Sequence, residues 1–332
     1  MRTTRSERKF FDHEVAVGPV PSRRLGRILG INNIPPKTCN YSCRYCQLGR
    51  TSVRQLDRCE YYKPTEIVLS VQDRLAELLE RNEPVDYLMF FSEGEPTLDQ
   101  NLGGEIIGLR SLGVPLAVIT NASLVTREDV RGDLGWADLV SLKVDAVDPR
   151  IWRTINRPHR DLDHHQILTG AEIFARRYHG TLVIETMLVK NVNDDEEHVK
   201  ELAAYLESLS PSKVYLTVPI RPPACRGVHP PDEHSVIRAY QILCSRLPEV
   251  ECMLGDGSGS CVSTGDVVTD LLGIAAIRPL RKDTLTEFLI RYDAPWDTVT
   301  DLIRAGELAK VKYEGEVFYL RKLKKVRRSR AR

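Results

Sequence analysis

Cys39-Asn40-Tyr41-Ser42-Cys43-Arg44-Tyr45-Cys46 places three thiols within eight residues, at the spacing C-x3-C-x2-C. Three thiolates so close along the chain can hold one face of a metal centre with little further ordering of the backbone. They can ligate three irons of a four-iron, four-sulfur (4Fe-4S) cluster and leave the fourth iron open to a small molecule. A structural zinc site wants four ligands, and Cys59 is available as the fourth. The run follows a short apolar segment at 30–34. That position, after the first strand of a longer series, favours the cluster.

Outward from this loop, short apolar runs alternate with amphipathic ones. Strands are expected at 30–34, 85–92, 116–120, 139–144, 181–189 and 214–218, and helices at 66–81, 101–111, 126–134, 164–177 and 194–209. Strand and helix repeated along one chain predict a parallel sheet with right-handed crossovers. The acidic start Asp194-Asp195-Glu196-Glu197 reads as a capping box, with Glu197 three residues after an Asp194 cap. Six such units fall short of the ~250 residues of a full eight-stranded barrel. Both an incomplete barrel and an open doubly wound sheet fit the pattern.

A second motif, Phe91-Ser92-Glu93-Gly94-Glu95-Pro96, ends the second strand. Strand ends on the carboxyl face of a parallel sheet are where ligands bind. Together with the cysteine spacing, this makes the chain resemble the radical S-adenosylmethionine (SAM) superfamily. The resemblance implies an α/β fold, a partial (βα)6 TIM-like barrel, with Cys39, Cys43 and Cys46 ligating a 4Fe-4S cluster. S-adenosyl-L-methionine would chelate the open iron. An electron from a ferredoxin- or flavodoxin-type donor would cleave it to a 5′-deoxyadenosyl radical that abstracts hydrogen from a substrate. Gly94 and Glu95 match the family's GGEP motif, which holds the SAM amino group, and Glu93 departs from it. Tyr45 would lie beside the adenine, and Asn121 would reach the ribose or amino acid.

Ser141, Lys143 and Asp145 share one face of the fourth strand by period two, and Glu185 and Met187 one face of the fifth. If that face is the interior, Lys143 would pair with the SAM carboxylate and Asp145 with substrate, while Glu185 would line the lumen. The alternative is an ordinary buried ion pair. The segments Arg23-Arg24-Leu25-Gly26-Arg27, Asn156-Arg157-Pro158 and Asn191-Val192-Asn193-Asp194 resemble a branch grouped with the wyosine-base-forming, tRNA-modifying enzymes. The arginines at 23–27 would bind phosphate or staple the cluster loop. Cys225, Cys244, Cys252 and Cys261 lie beyond the expected barrel strands at loose gaps, and an auxiliary cluster is one reading of them.

Composition shifts after Pro248. The expected domains are an N-terminal extension at 1–30, the barrel at 31–250, a Gly/Ser-rich linker at 251–265, a winged-helix-like domain at 266–321 and a basic tail at 322–332. The winged helix is read from two short helices, at 283–291 and 296–305, followed by strands around a Glu314-Gly315 turn. Net charge is +1, yet residues 321–332 hold eight Lys or Arg and no acid, so the rest of the chain carries −7. A concentrated basic tail points to a polyanion. RNA, probed through the winged helix and tail, is therefore the first expected partner and RNA modification the first expected reaction; a peptide or protein substrate is the second. A DNA-binding iron–sulfur regulator is the third reading, against which the strand-end polar residues argue. No apolar run approaches the ~18 residues of a membrane span, and no secretory signal opens the chain. The expectation is a soluble, cytoplasmic protein.

Overall fold

A computed structural model describes residues 15–51, 53–91, 93–253, 266–277 and 279–322. β1 (Ala16–Ser22) and β2 (Gly26–Ile31) form an antiparallel hairpin. β3 (Thr38–Cys39) and β4 (Val53–Arg54) form a small parallel pair, and the cysteine loop spans them. Six helical crossovers follow. α1 (Pro64–Glu80) leads to β5 (Tyr87–Phe90), α2 (Leu102–Arg110) to β6 (Leu116–Thr120), and α3 (Glu128–Leu134) to β7 (Leu139–Lys143). α4 (Pro149–Asn156) and α5 (His164–Arg177) then lead to β8 (Thr181–Met187). α6 (Glu196–Ser208) leads to β9 (Lys213–Thr217), and α7 (Glu233–Cys244) to β10 (Val250–Met253).

The strands join in the order β1-β2-β5-β6-β7-β8-β9-β10, parallel throughout except for the β1–β2 pair. This is the parallel sheet of a partial barrel. Three stretches expected outside the barrel belong to its sheet. β2 runs Gly26–Ile31, mostly within the expected extension, instead of 30–34. β1 comes from the expected extension; its Gly18-Pro19-Val20-Pro21 run reads as non-strand because proline donates no ladder bond, and it is tolerated here because β1 is an edge strand. β10 carries the sheet to Met253, three residues into the expected linker. The remainder of that linker, 254–265, lies outside the described residues, as do Cys261 and the tail from 323 onward.

Period-two alternation divides each strand between two surfaces. Leu88, Phe90, Leu116, Val118, Val140, Leu142 and Ile184 pack outward against the helices. Val20, Ile28, Met89, Ala117, Leu139, Val183 and Tyr215 fill the lumen. Gly30 is glycine because a Cβ there would fall 2.1 Å from the Phe91 ring. Helix starts follow acidic caps: Asp148 accepts from Arg150 and Ile151 N–H, Asp163 from Gln166, and Asp232 from Ser235. α6 starts one residue later than its charge pattern suggests, with Asp195 capping through the His198 N–H at 3.0 Å.

The C-terminal elements are α8 (Val267–Ile277), β11 (Leu280–Arg281), α9 (Lys282–Arg291), α10 (Asp297–Arg304), β12 (Leu308–Tyr313) and β13 (Glu316–Arg321). The three strands pair as β11-β13-β12 over a separate core that includes Leu271, Leu285, Phe288, Val299 and Tyr319. Glu314 and Gly315 both have positive φ, 47° and 80°, which matches a tight hairpin turn. The hairpin tip sits on the barrel. The Tyr313 hydroxyl lies 2.7 Å from the Pro219 carbonyl and 3.0 Å from that of Val228, and Glu314 pairs with His229.

Arg58 braces the outside of the barrel, donating to Asp133 at 2.5 Å, Asp129 at 2.9 Å and the Asp99 carbonyl at 2.7 Å. Beside it Glu105 is fully buried, and burial first, then the Asp99 charge, pushes its carboxyl well above the usual range. A raised folded-state value means that the folded chain holds this proton more tightly than the unfolded chain. The associated stability is present at low pH and is lost as pH rises past the ordinary carboxylate range. Glu105→Gln is therefore expected to reduce the loss of stability between pH 5.5 and pH 8. Denaturant titrations of both forms at the two pH values check this; parallel curves would refute it.

Candidate active site

The cysteine loop is fixed to the barrel mouth by main-chain bonds on both sides. Toward β5, the Glu95 N–H donates to the Thr38 carbonyl at 3.0 Å, and the Lys37 N–H to the Glu93 carbonyl at 2.6 Å. A Cβ on Gly94 would stand 1.9 Å from the Thr38 oxygen, so only glycine permits this approach. Toward α4, the Arg44 N–H donates to the Ile155 carbonyl at 2.9 Å, and the Ser42 N–H to the Asn156 and Arg157 carbonyls at 3.1 and 3.2 Å. The His159 N–H closes onto the Asn40 carbonyl at 2.7 Å. Trp152 stacks on His164 and donates its indole N–H to the Tyr41 hydroxyl at 3.1 Å.

N–H groups are directed at all three sulfurs, those of Leu48 and Gly49 at Cys46. Tyr41 N–H lies 3.4 Å from Cys39 Sγ, Asn121 Nδ2 lies 3.6 Å from the same atom, and Asn156 Nδ2 lies 3.5 Å from Cys43 Sγ. The Asn40 Nδ2 is buried with no protein partner. Burial raises all three thiols, that of Cys43 to about 12. A bound metal centre is what renders such thiols anionic. Among the described residues, no three His, Cys, Asp or Glu side chains converge on a point that a single ion could fill. Cys59, the fourth ligand of the zinc reading, is exposed, and its Sγ accepts from Gln55 at 3.0 Å. Three buried thiols close together on one loop, with amide donors aimed at the sulfurs, fit a polynuclear cluster.

Glu95 is buried and fully bonded. Its Oε1 accepts from the hydroxyls of Thr97 and Thr120, both at 2.6 Å, and its Oε2 from the Asn121 N–H at 2.7 Å. It thereby joins the ends of β5 and β6. Glu93 is buried too, with Oε2 lacking a partner, and burial holds its carboxyl up at about 7. Asn121 reaches Asn40 Oδ1 at 2.8 Å.

Lys143 and Glu185 face the lumen on paired positions of β7 and β8 and bond to each other at 2.8 Å. Arg24, from the β1–β2 turn, is the second partner of Glu185 and lies over the Tyr215 ring. Burial raises Glu185, but the two cations outweigh it and hold the carboxyl well below its usual range. Lys143 Nζ stands 5.1 Å from the Tyr45 ring centre. Tyr45 donates to Asp145, which also accepts from Asn156 Nδ2 at 2.6 Å and the Met187 N–H at 2.9 Å. The arginines at 23–27 take three different positions. Arg24 enters the lumen, Arg27 turns to Glu83 at 3.8 Å, and Arg23 is exposed.

The face that period two gives to Lys143, Asp145 and Glu185 is the interior, where Lys143 and Glu185 form a buried ion pair. Nothing in the sequence marks Asn156 as a donor to a thiol, although it lies in the Asn156-Arg157-Pro158 segment. Among the described residues Cys225, Cys244 and Cys252 do not converge on one point, although Cys244 lies close enough to Cys252 to raise its thiol. Cys225 is buried under Arg157, Cys244 is exposed on α7, and Cys252 is half-buried on β10.

The family model described as the radical SAM superfamily matches residues 33–203, more than half of the chain. The chain belongs to the radical SAM superfamily. It is 42% identical over 312 residues to a UPF0026 protein of Methanocaldococcus jannaschii, covering 93% of this chain and 97% of that one. Two solved structures share the fold. A radical SAM methyltransferase from Sphaerobacter thermophilus superposes with a TM-score of 0.53 at 18% identity, covering 70% of this chain and 69% of that one. TYW1 with a lysine-pyruvate adduct superposes at 0.51 with 17% identity, covering 68% and 76%. Such likeness extends to the fold and does not single out the wyosine branch. Radical SAM enzymes use a 4Fe-4S cluster and SAM and need an electron donor, and the chain is such an enzyme. No helix among the described residues is long and apolar enough to cross a membrane.

A donor to a thiolate stabilises the more negative, reduced cluster, at about 0.5–1.5 kcal/mol per bond. With ~59 mV per tenfold change for one electron, Asn156→Ala should lower the cluster midpoint by roughly 20–60 mV. A redox titration followed by electron paramagnetic resonance checks this; an unchanged midpoint would refute the donor role. Gly94→Ala should reduce iron content per chain severalfold, because the Thr38 carbonyl must move.

Proposed function

We propose that this radical SAM enzyme modifies RNA, with the C-terminal unit as a winged helix that brings the RNA to the barrel mouth. In this reading Cys39, Cys43 and Cys46 hold the cluster. Gly94 keeps the motif backbone close to it, and Glu95 braces the β5 and β6 ends around the SAM amino acid. When bound, the cluster and SAM supply one-electron reductive cleavage and a 5′-deoxyadenosyl radical for hydrogen abstraction. Tyr45, Asn121 and Asp145 form the wall beside the loop. Lys143 is already bonded to Glu185, which it shares with Arg24, so it orients that wall, and the sequence-based pairing with the SAM carboxylate is not required.

The observation that carries the RNA reading is the seat of the hairpin. The αβααββ order is that of a winged helix, and its wing tip is bonded to the loop after β9 at the mouth. β12 presents Lys310 and Lys312 on one exposed face, and Lys322 follows β13. The basic tail continues from there in the sequence. α10, by contrast, carries Asp297 and Asp301, so the polyanion contact falls to the wing and tail. Clustered lysines bind a phosphate backbone through counterion release.

Anaerobic protein with dithionite and SAM should form 5′-deoxyadenosine severalfold faster with total RNA added, and ribonuclease treatment should abolish the gain. Lys310→Glu/Lys312→Glu should lose most of that stimulation while keeping the cluster absorbance. Stimulation that survives ribonuclease but not protease would transfer the reading to a peptide substrate, and no stimulation by either would overturn it.

A further inference from the structure

A cleft of about 410 Å³ opens beside the cysteine loop, lined by Arg54, Arg153, Arg157, His159 and Arg160. Of the four guanidiniums only that of Arg160 has a carboxylate neighbour among the described residues. Asp161 lies 3.6 Å from Arg160 and 3.6 Å from His159. Among the described residues Arg54, Arg153 and Arg157 have no carboxylate partner. Arg54 donates to the Pro158 carbonyl at 3.0 Å, and Arg157 to Cys225 Sγ at 3.1 Å. Like charges gathered in one cavity repel, and an anion between them removes that cost. Guanidinium forks match the oxygens of a phosphate.

The cleft is part of the cluster loop's own frame. Arg54 sits opposite Cys39 in the β3–β4 register. The Arg157 carbonyl accepts from Ser42, and the His159 N–H donates to Asn40. Arg157 ends α4 in a left-handed conformation, φ 47°, which turns the chain so that both contacts are made. Whatever binds the arginines is therefore held at a fixed distance from the three cysteines.

We propose that this cleft binds a backbone phosphate of the substrate RNA and positions the strand for reaction. The proposal rests on the RNA reading above and names a second contact, separate from the wing. A fluorescent oligouridylate titrated onto the cluster-loaded protein at several salt concentrations tests it. Arg153→Glu/Arg160→Glu alters two exposed side chains, so its thermal midpoint should match that of the wild type. Its affinity should fall at least about tenfold, and its salt slope should flatten by about 1.4, from two contacts at ~0.7 each on single strands. Equal affinity and slope in both forms would overturn the cleft and leave the RNA reading standing. Polyglutamate competing as well as RNA would overturn the assignment to phosphate. If the wild type binds no RNA, the RNA reading falls, and calorimetry with inorganic pyrophosphate then decides the cleft. Binding lost in the double variant would assign it to a small phosphorylated substrate, and no binding would overturn it.

Discussion

The Thr38 carbonyl is shared between a hydrogen bond from Glu95 and a space too small for any side chain at position 94. This contact joins the cysteine loop to the end of β5, and much of the site is built on it. Glu95 can brace β6 through Thr120 and Asn121 only because its backbone is held there. Asn121 in turn reaches Cys39 and Asn40 on the loop. The loop, two strand ends and a buried carboxylate thus form one closed set of bonds. On the opposite side the C-terminal turn of α4 repeats the arrangement, with carbonyls of residues 155–157 receiving Ser42 and Arg44.

Beneath this frame the lumen holds a line of charge beside the apolar side chains that fill it. Arg24, Glu185 and Lys143 alternate in sign, and Tyr45 and Asp145 continue the line to the loop. Removing one member of a buried pair strands the other, at a cost of about 3–5 kcal/mol. The lumen therefore combines charge matching with apolar packing, while the outer layer, between sheet and helices, is ordered by apolar packing.

The fold was legible where period and chemistry coincided. β6 and α5 begin and end at the residues that their patterns mark, and the face shared by Ser141, Lys143 and Asp145 follows from alternation alone. β1 was hidden by its prolines, acceptable only on an edge that sequence does not reveal. α8 was hidden by an apolar run, Val267-Val268 to Ile274-Ala275-Ala276-Ile277, that lacks a 3.6-residue period. Within the site, the cysteines and the Gly94-Glu95 pair announce themselves by spacing. Asn156 does not, because its role depends on α4 folding back over residues more than a hundred positions earlier. The pairing of Arg24 with Glu185 spans 161 residues and is equally invisible to any local reading.

The hairpin seat distributes evolutionary constraint unevenly. Tyr313 recognises main-chain carbonyls at 219 and 228, not side chains. The receiving loop can therefore exchange residues at those two positions without undocking its guest, so long as the path of its backbone is kept. Position 313 has no such latitude, since phenylalanine would keep the ring and forfeit both contacts. The docking contact therefore constrains the side chain at the hairpin tip and only the backbone of the loop that receives it.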